Sequence, residues 1–188
     1  MYTRWVHGSV VARQARLLLL ALALVAAAGA LASALADPVA ALSLMSPKPV
    51  KPAKDFQVTT PDNQPLSLTN FKGKVVFLNF WATWCKPCEA EMPGMERLHR
   101  RYRDRGLVVL AISEDAGGAG AVSPFVRKHQ LTFPIGLDPK MAVASLYGVW
   151  TLPSTFIIDR QGNRAFYANG AREWDGAAAH SLFDTLLR

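Results

Sequence analysis

Cysteine is scarce in this chain. Two occur among 188 residues, and both stand in Trp84-Cys85-Lys86-Pro87-Cys88. A structural zinc site normally takes four ligands. No second cysteine pair exists, and His7, His99, His129 and His180 show no paired spacing; no metal is expected. A bridge between residues this close constrains the unfolded chain little, so a purely structural disulfide explains the pair poorly. Acidic residues are also few, 14 Asp and Glu against 21 Lys and Arg, for a formal net charge of +7. Three of those arginines fall within residues 1–36, and the remaining excess is too modest to argue for nucleic acid. The cluster Arg97, Arg100, Arg101, Arg103 and Arg105 reads as the solvated face of a helix. No internal repeat is present. Gly117-Gly118-Ala119-Gly120 lacks the strand–helix context that a phosphate loop requires.

What is present is a setting for the two sulfurs. The apolar run Val75-Val76-Phe77-Leu78-Asn79-Phe80-Trp81 leads into them, and Pro87 with a helix-like stretch follows. A strand that delivers a Cys-x-x-Cys pair to the start of a helix suits thiol–disulfide exchange, in which the thiolate is the nucleophile. Unpaired N–H groups and the helix dipole stabilise an anion at that position. Cys85 should therefore ionise below the free-thiol value of about 8.5. Lys86 adds a nearby positive charge in the same direction. Cys88, one turn further in, is expected to be the more buried resolving thiol.

Residues 1–36 read as an export segment. Arg4, Arg13 and Arg16 form a basic flank, residues 17–36 carry no charge, and Ala34-Leu35-Ala36 before Asp37 fits a cleaved signal peptide. The same uncharged run is long enough for a membrane anchor. In either case the arginines place the remainder outside the cytoplasm, periplasmic or extracytoplasmic. Residues 37–54, with Pro38, Pro47, Pro49, Pro52, Lys48, Lys51 and Lys54, suggest an extended, solvated spacer.

Residues 55–188 have the length of one domain. Phe56–Thr59 and Leu66–Leu68 suggest a hairpin around Pro61-Asp62-Asn63-Gln64. Val75–Trp81 and Leu107–Ser113 read as buried strands. Met92, Met95, Leu98 and Tyr102 mark a helix running to about Arg105. A helix over Val122–His129 should open near Ser123-Pro124. Phe133–Leu137 suggests a short strand, and Ala142–Tyr147 a helix stopped by Gly148. Strands Thr155–Asp159 and Ala165–Ala168 flank a turn at Gln161-Gly162-Asn163, and residues 174–187 predict a terminal helix. The sum is an α/β fold, a mixed sheet with helices on both faces. Pro153 belongs at a strand entrance. With Cys-x-x-Cys upstream and this element order, a cis Leu152–Pro153 bond beside the sulfurs is expected.

Two stretches, Gly73-Lys74-Val75 through Trp84-Cys85-Lys86-Pro87-Cys88 with Glu91-Met92-Pro93, and Leu152-Pro153-Ser154-Thr155-Phe156-Ile157-Ile158-Asp159, carry a resemblance. From Phe56 to its end the chain resembles the thioredoxin fold, specifically the exported TlpA/ResA-like thiol–disulfide oxidoreductases of the thioredoxin superfamily. That resemblance implies that Cys85 attacks a partner's disulfide and Cys88 resolves the mixed disulfide. It implies that Pro153 holds the substrate chain, that Leu152 offers backbone contacts and that Trp84 caps the sulfurs. Thioredoxins carry a buried Asp where this chain has Asn79, which cannot titrate, so another acid serves or none does. Glu114 is the candidate acid, near the end of the second buried strand beside Asp115; it reads either as a solvated loop carboxylate or as a group buried near Cys88, and burial there would raise its pKa. Glu89 and Glu91 read as exposed helix charges.

The implied activity is reduction of disulfides in exported proteins, such as apocytochrome c before haem attachment or a copper-site assembly protein. A membrane thiol-electron donor would supply the electrons. No cofactor beyond the Cys85–Cys88 disulfide is implied, and a monomer is expected. Three other readings compete. A peroxiredoxin-like peroxidase shares the fold, but the proline upstream of its reactive cysteine is missing. A copper-handling module or holdase would rest on two thiolates alone. A disulfide oxidant of the DsbA type would carry a large helical insertion between the motif and Pro153, where only 64 residues stand after Cys88.

Overall fold

A computed structural model describes residues 37–188. The export segment expected at 1–36 lies outside the described residues. Strand β4 (Val75–Trp81) is buried at every position. It pairs in parallel with β5 (Leu107–Ser113) and antiparallel with β7 (Ser154–Ile158). A continuous apolar run is what two covered faces require. Val75, Phe77 and Trp81 face one core, and Val76, Leu78 and Phe80 the other, as the two-residue period of a strand dictates.

The remaining strands are β1 (Lys51–Pro52), the hairpin β2 (Gln57–Thr59) and β3 (Pro65–Ser67), β6 (Ile135–Leu137) and β8 (Asn163–Asn169). Together they form an eight-stranded mixed sheet in the order β1-β8-β7-β4-β5-β6-β2-β3. Helix α2 (Lys86–Tyr102) links β4 to β5, and α3 (Ala119–His129) links β5 to β6. Both crossovers step the same way across the sheet, which lays both helices on one face. Met92, Met95 and Leu98 of α2, Val122 of α3, and Leu182 and Phe183 of α5 (Ala177–Leu186) share that core with Phe77. Helix α4 (Ala142–Tyr147) and Leu66 of the hairpin cover the opposite face.

Three expectations need correction. Helix α3 opens at Ala119 rather than Val122, with Pro124 inside it. Gly118, at φ +52°, makes the turn, so the glycine-rich stretch is partly helix. The terminal helix opens at Ala177 rather than 174, because Trp174 is drawn wholly into the core. Residues 37–54 are not a solvated spacer. Helix α1 (Pro38–Ala41) packs against α5, and Leu42 and Leu44 are buried. Met45 exchanges two backbone hydrogen bonds of 2.8 Å with Tyr167, and β1 pairs with β8. Beyond β7, β8 offers an edge of free backbone groups, and this strap occupies it. The lysines stay exposed while the two leucines bury the apolar area.

Leu42→Asp tests that docking. It should cost about 2 kcal/mol or more, seen as a lower Tm, because a buried leucine is lost and a charge is left at an apolar site. An unchanged Tm would return the segment to a spacer.

Candidate active site

The sulfurs sit where β4 hands the chain to α2. Cys85 is the N-cap of α2 in extended backbone (φ −84°, ψ 101°), and Pro87 lies in the first turn. Proline is suited there because its missing N–H is one the helix start leaves unpaired. Cys85 and Cys88 form a disulfide with a Cα–Cα separation of 5.3 Å. The Cys88 N–H donates to Cys85 Sγ at 3.3 Å. In the dithiol state the same N–H and the helix dipole act on a Cys85 thiolate. Cys85 is 6% exposed and Cys88 wholly buried, so only one sulfur can be approached. Lys86 contributes less than expected: its ammonium is 3.0 Å from Glu89 Oε2 and its side chain is largely exposed. Lys86 in turn holds the Glu89 carboxyl below its ordinary range.

The loop before Cys85 is clamped by Asp115. Its carboxylate accepts from the Thr83 N–H at 2.9 Å, from Thr83 Oγ1 at 2.6 Å and from Ser113 Oγ at 2.8 Å. Glu114, its neighbour, donates its N–H to the Trp81 carbonyl at 2.8 Å, which continues the β4–β5 pairing to the edge of the motif. The Glu114 side chain is buried, and neither carboxyl oxygen has a hydrogen-bond partner. Desolvation, reinforced by the nearby Asp138 and Asp115 carboxylates, pushes its pKa up to about 8. The sequence reading placed a candidate acid here, and the structure places a buried, raised carboxyl at that position.

A second acid was misread. Glu91 is not an exposed helix charge; it is 4% exposed. Its Oε1 accepts from Asn79 Nδ2 at 2.9 Å, and its Oε2 accepts from Trp174 Nε1 at 3.0 Å and the Arg172 N–H at 3.2 Å. Asn79 also donates to Thr155 Oγ1 at 3.0 Å across the β4–β7 pair. Burial raises the Glu91 pKa to about 7, against the opposing pull of these donors. The signal was present in the helical period. Glu91 lies three residues beyond Cys88 and four before Met95, on the buried stripe of α2. Its partners Arg172 and Trp174 gave no sequence signal.

Leu152–Pro153 is cis, as expected. The Pro153 carbonyl accepts from the Gly170 N–H at 2.8 Å, anchoring the loop to the end of β8. Leu152 is half-buried and packs against both cores. Trp84, beside Cys85, is 68% exposed, and Trp150, on the loop before Pro153, is 95% exposed. Trp150 was not singled out from the sequence. Among the described residues no group of His, Cys, Asp and Glu could hold a metal ion.

The comparisons with known proteins agree with this arrangement. A family model described as AhpC/TSA matches residues 49–164. The chain is 44% identical over 112 residues to the thiol-disulfide oxidoreductase ResA of Bacillus thuringiensis subsp. konkukian, covering 60% of this chain. It spans 64% of the length of that relative. Among solved structures it is similar to a protein of Chlorobium tepidum described as a thiol:disulfide interchange protein DsbE. That match has a TM-score of 0.69 and 32% identity, over 74% of this chain and 97% of the other. It is also similar to a secreted thiol-disulfide isomerase of Corynebacterium glutamicum, with a TM-score of 0.64 and 25% identity, over 77% and 89% of the two chains.

The two acids predict different stability effects. An acid whose pKa rises from 4.5 to about 8 holds its proton in the folded chain and loses it in the unfolded one between those values. Stability from Glu114 is therefore fullest below about pH 4.5 and declines as pH rises toward 8, by about 1.4 kcal/mol per pH unit for such a group. Glu114→Gln should flatten that decline and raise stability at pH 8, read from urea midpoints across the range. A slope identical to wild type would contradict the burial. Glu91→Ala should destabilise most at acid pH, by about 3 kcal/mol where buried donors lose their acceptor, and less as pH rises through about 7, where the wild type itself is weakened by ionising this carboxyl.

Proposed function

Because the chain belongs to the AhpC/TSA family, we propose that it is an exported thiol–disulfide oxidoreductase that reduces disulfides in other polypeptides. The observation that carries this is the asymmetry of the pair: Cys85 at the N-cap of α2 and slightly open, Cys88 one turn in and closed. In the reduced protein the Cys85 thiolate attacks one sulfur of a partner's disulfide, and the other partner sulfur leaves as a thiolate and takes a proton. The Cys88 thiol then loses its proton and its thiolate attacks Cys85 Sγ. The second partner sulfur is released, and the Cys85–Cys88 disulfide forms. Two electrons and two protons have passed to the partner. Glu91, three residues beyond Cys88 on the buried stripe of α2 and with a pKa of about 7, is suited to receive and return the Cys88 proton near neutral pH.

Export is supported by the leader-like residues 1–36 and by the similarity to the secreted protein described above. A membrane thiol donor would restore the dithiol. Apocytochrome c and copper-site assembly proteins are the substrates that the sequence resemblance implies, with the protein acting as a monomer. Pro153 and Leu152 would hold the substrate chain, and Trp84 would cover the reacting sulfurs.

The deciding measurement is the reduction potential of Cys85–Cys88 in glutathione and dithiothreitol buffers. A value near thioredoxin's, about −270 mV or lower, supports the reductant; one near DsbA's, about −120 mV, reverses the direction of electron flow. Cys85→Ser should abolish disulfide reduction. Cys88→Ser should accumulate mixed disulfides, visible on non-reducing gels; full turnover in that variant would remove the resolving role. Faster turnover of hydroperoxide than of disulfide would favour the peroxidase reading.

A further inference from the structure

A cavity of about 380 Å³ lies between the strap and the sheet edge, and it is bounded by Gly148 and by Ser154. Those two residues are the ends of the loop that carries Trp150 and Pro153. Lys48, Lys51 and Arg164 line the cavity, together with Tyr147, Tyr167 and Asn169. No carboxylate is in its wall. Some cations elsewhere on the described chain are paired with acids, such as Arg97 with Asp175, Arg100 with Glu96, Arg105 with Asp184 and Lys86 with Glu89, and others stand alone on the surface. Lys48, Lys51 and Arg164 make no such pair. Arg164 Nε is buried without a hydrogen-bond partner, and its guanidinium lies 6.0 Å from the centre of the Phe156 ring. Stacking on an aromatic face therefore orients the guanidinium, and no protein acid does. Three like charges around one opening raise a local potential that favours an anion.

We propose that this cavity receives an acidic side chain, Asp or Glu, flanking the cysteine that Cys85 attacks in the substrate polypeptide. The proposal rests on the disulfide-exchange reading above and names the substrate class for it. The cavity is bounded by both ends of the 149–153 loop, so a chain lying across that loop would extend toward it. Trp150, almost fully exposed on the loop, and Trp84 beside Cys85 supply aromatic surface along the way. A rigid indole flanked by charge is a common anchor for a polypeptide. Polar walls and basic charge make the cavity a poor host for an apolar side chain.

The test uses the full reduced chain and three synthetic peptides, each with one internal disulfide. The flanking residues are glutamate, alanine or lysine. KM should be about tenfold lower for the glutamate peptide than for the lysine peptide at low ionic strength, and the gap should close as salt rises. In the double variant Lys48→Ala, Lys51→Ala the gap should vanish while kcat on the alanine peptide stays unchanged. Equal KM values for the glutamate and lysine peptides in wild type would overturn the proposal, as would a gap that survives in the double variant. Failure of wild type to reduce any peptide would overturn the exchange reading itself. For that reason the glutamate peptide with serine in place of cysteine is also titrated by fluorescence anisotropy. It should bind wild type at least tenfold more tightly than the double variant, and equal binding would overturn the cavity assignment whatever the redox result. Citrate that displaces this peptide at concentrations below the peptide's own Kd would assign the cavity to a free organic acid and overturn the polypeptide.

Discussion

Strand β4 has no free face and no free edge: helices cover both sides, and β5 and β7 take both rows of its backbone groups. A strand held this way cannot shift register without turning its apolar set from one core to the other. Its last residue, Trp81, is therefore a fixed point. The Trp81 carbonyl takes the Glu114 N–H, and Asp115 next to it clamps Thr83. Two residues beyond Thr83 the chain becomes the N-cap of α2. The location of Cys85 follows from these steps, and a loop would have fixed it less well.

The same burial that fixes the strand creates two unusual carboxyls. Glu91 and Glu114 are both shut away from water, and desolvation dominates both. They differ in what surrounds the oxygens. Glu91 has three donors, each of which favours the charged form, and they recover only part of the desolvation cost. Glu114 has none, and neighbouring Asp138 and Asp115 oppose its ionisation further. Both carboxyls are pushed well above their ordinary range, with the donors opposing the rise at Glu91 and nothing opposing it at Glu114. Asn79 takes part without titrating. It donates to Glu91, so the acid at this level comes from the helix and not from the strand.

The fold was largely legible because its main signals are local. Seven consecutive apolar residues in β4, the 3–4 spacing of Met92, Met95 and Leu98, and Gly148 as a left-handed stop each follow from backbone period or conformation. The Cys-x-x-Cys pair with Leu152-Pro153 marked the site. What escaped depended on distant partners. Trp174 is an ordinary residue in a loop until Glu91 lies beneath it, eighty-three positions away. The strap from 38 to 52 has the composition of a spacer, and only the open edge of β8 gives Leu42, Leu44 and Met45 somewhere to go. Glu91 was legible and misread: the general preference of glutamate for solvent was allowed to outweigh its position on the buried stripe.

The distribution of charge separates chemistry from selection. Next to the sulfurs Lys86 is paired with Glu89, and the Asp115 carboxylate is occupied by Thr83 and Ser113. In the dithiol state the Cys85 thiolate is stabilised by the start of α2, which acts the same whatever approaches the sulfur. Discrimination among partners has to come from elsewhere, because Cys85 is 6% exposed and offers little surface of its own. The features that remain are the two exposed indoles, the Leu152–Pro153 loop and the unpaired cations behind it. Each lies outside the set of atoms that exchange electrons. An exposed surface of this kind can change without disturbing the buried machinery, and Lys48 and Lys51 stand on the exposed part of the strap, beyond its buried Leu42 and Leu44.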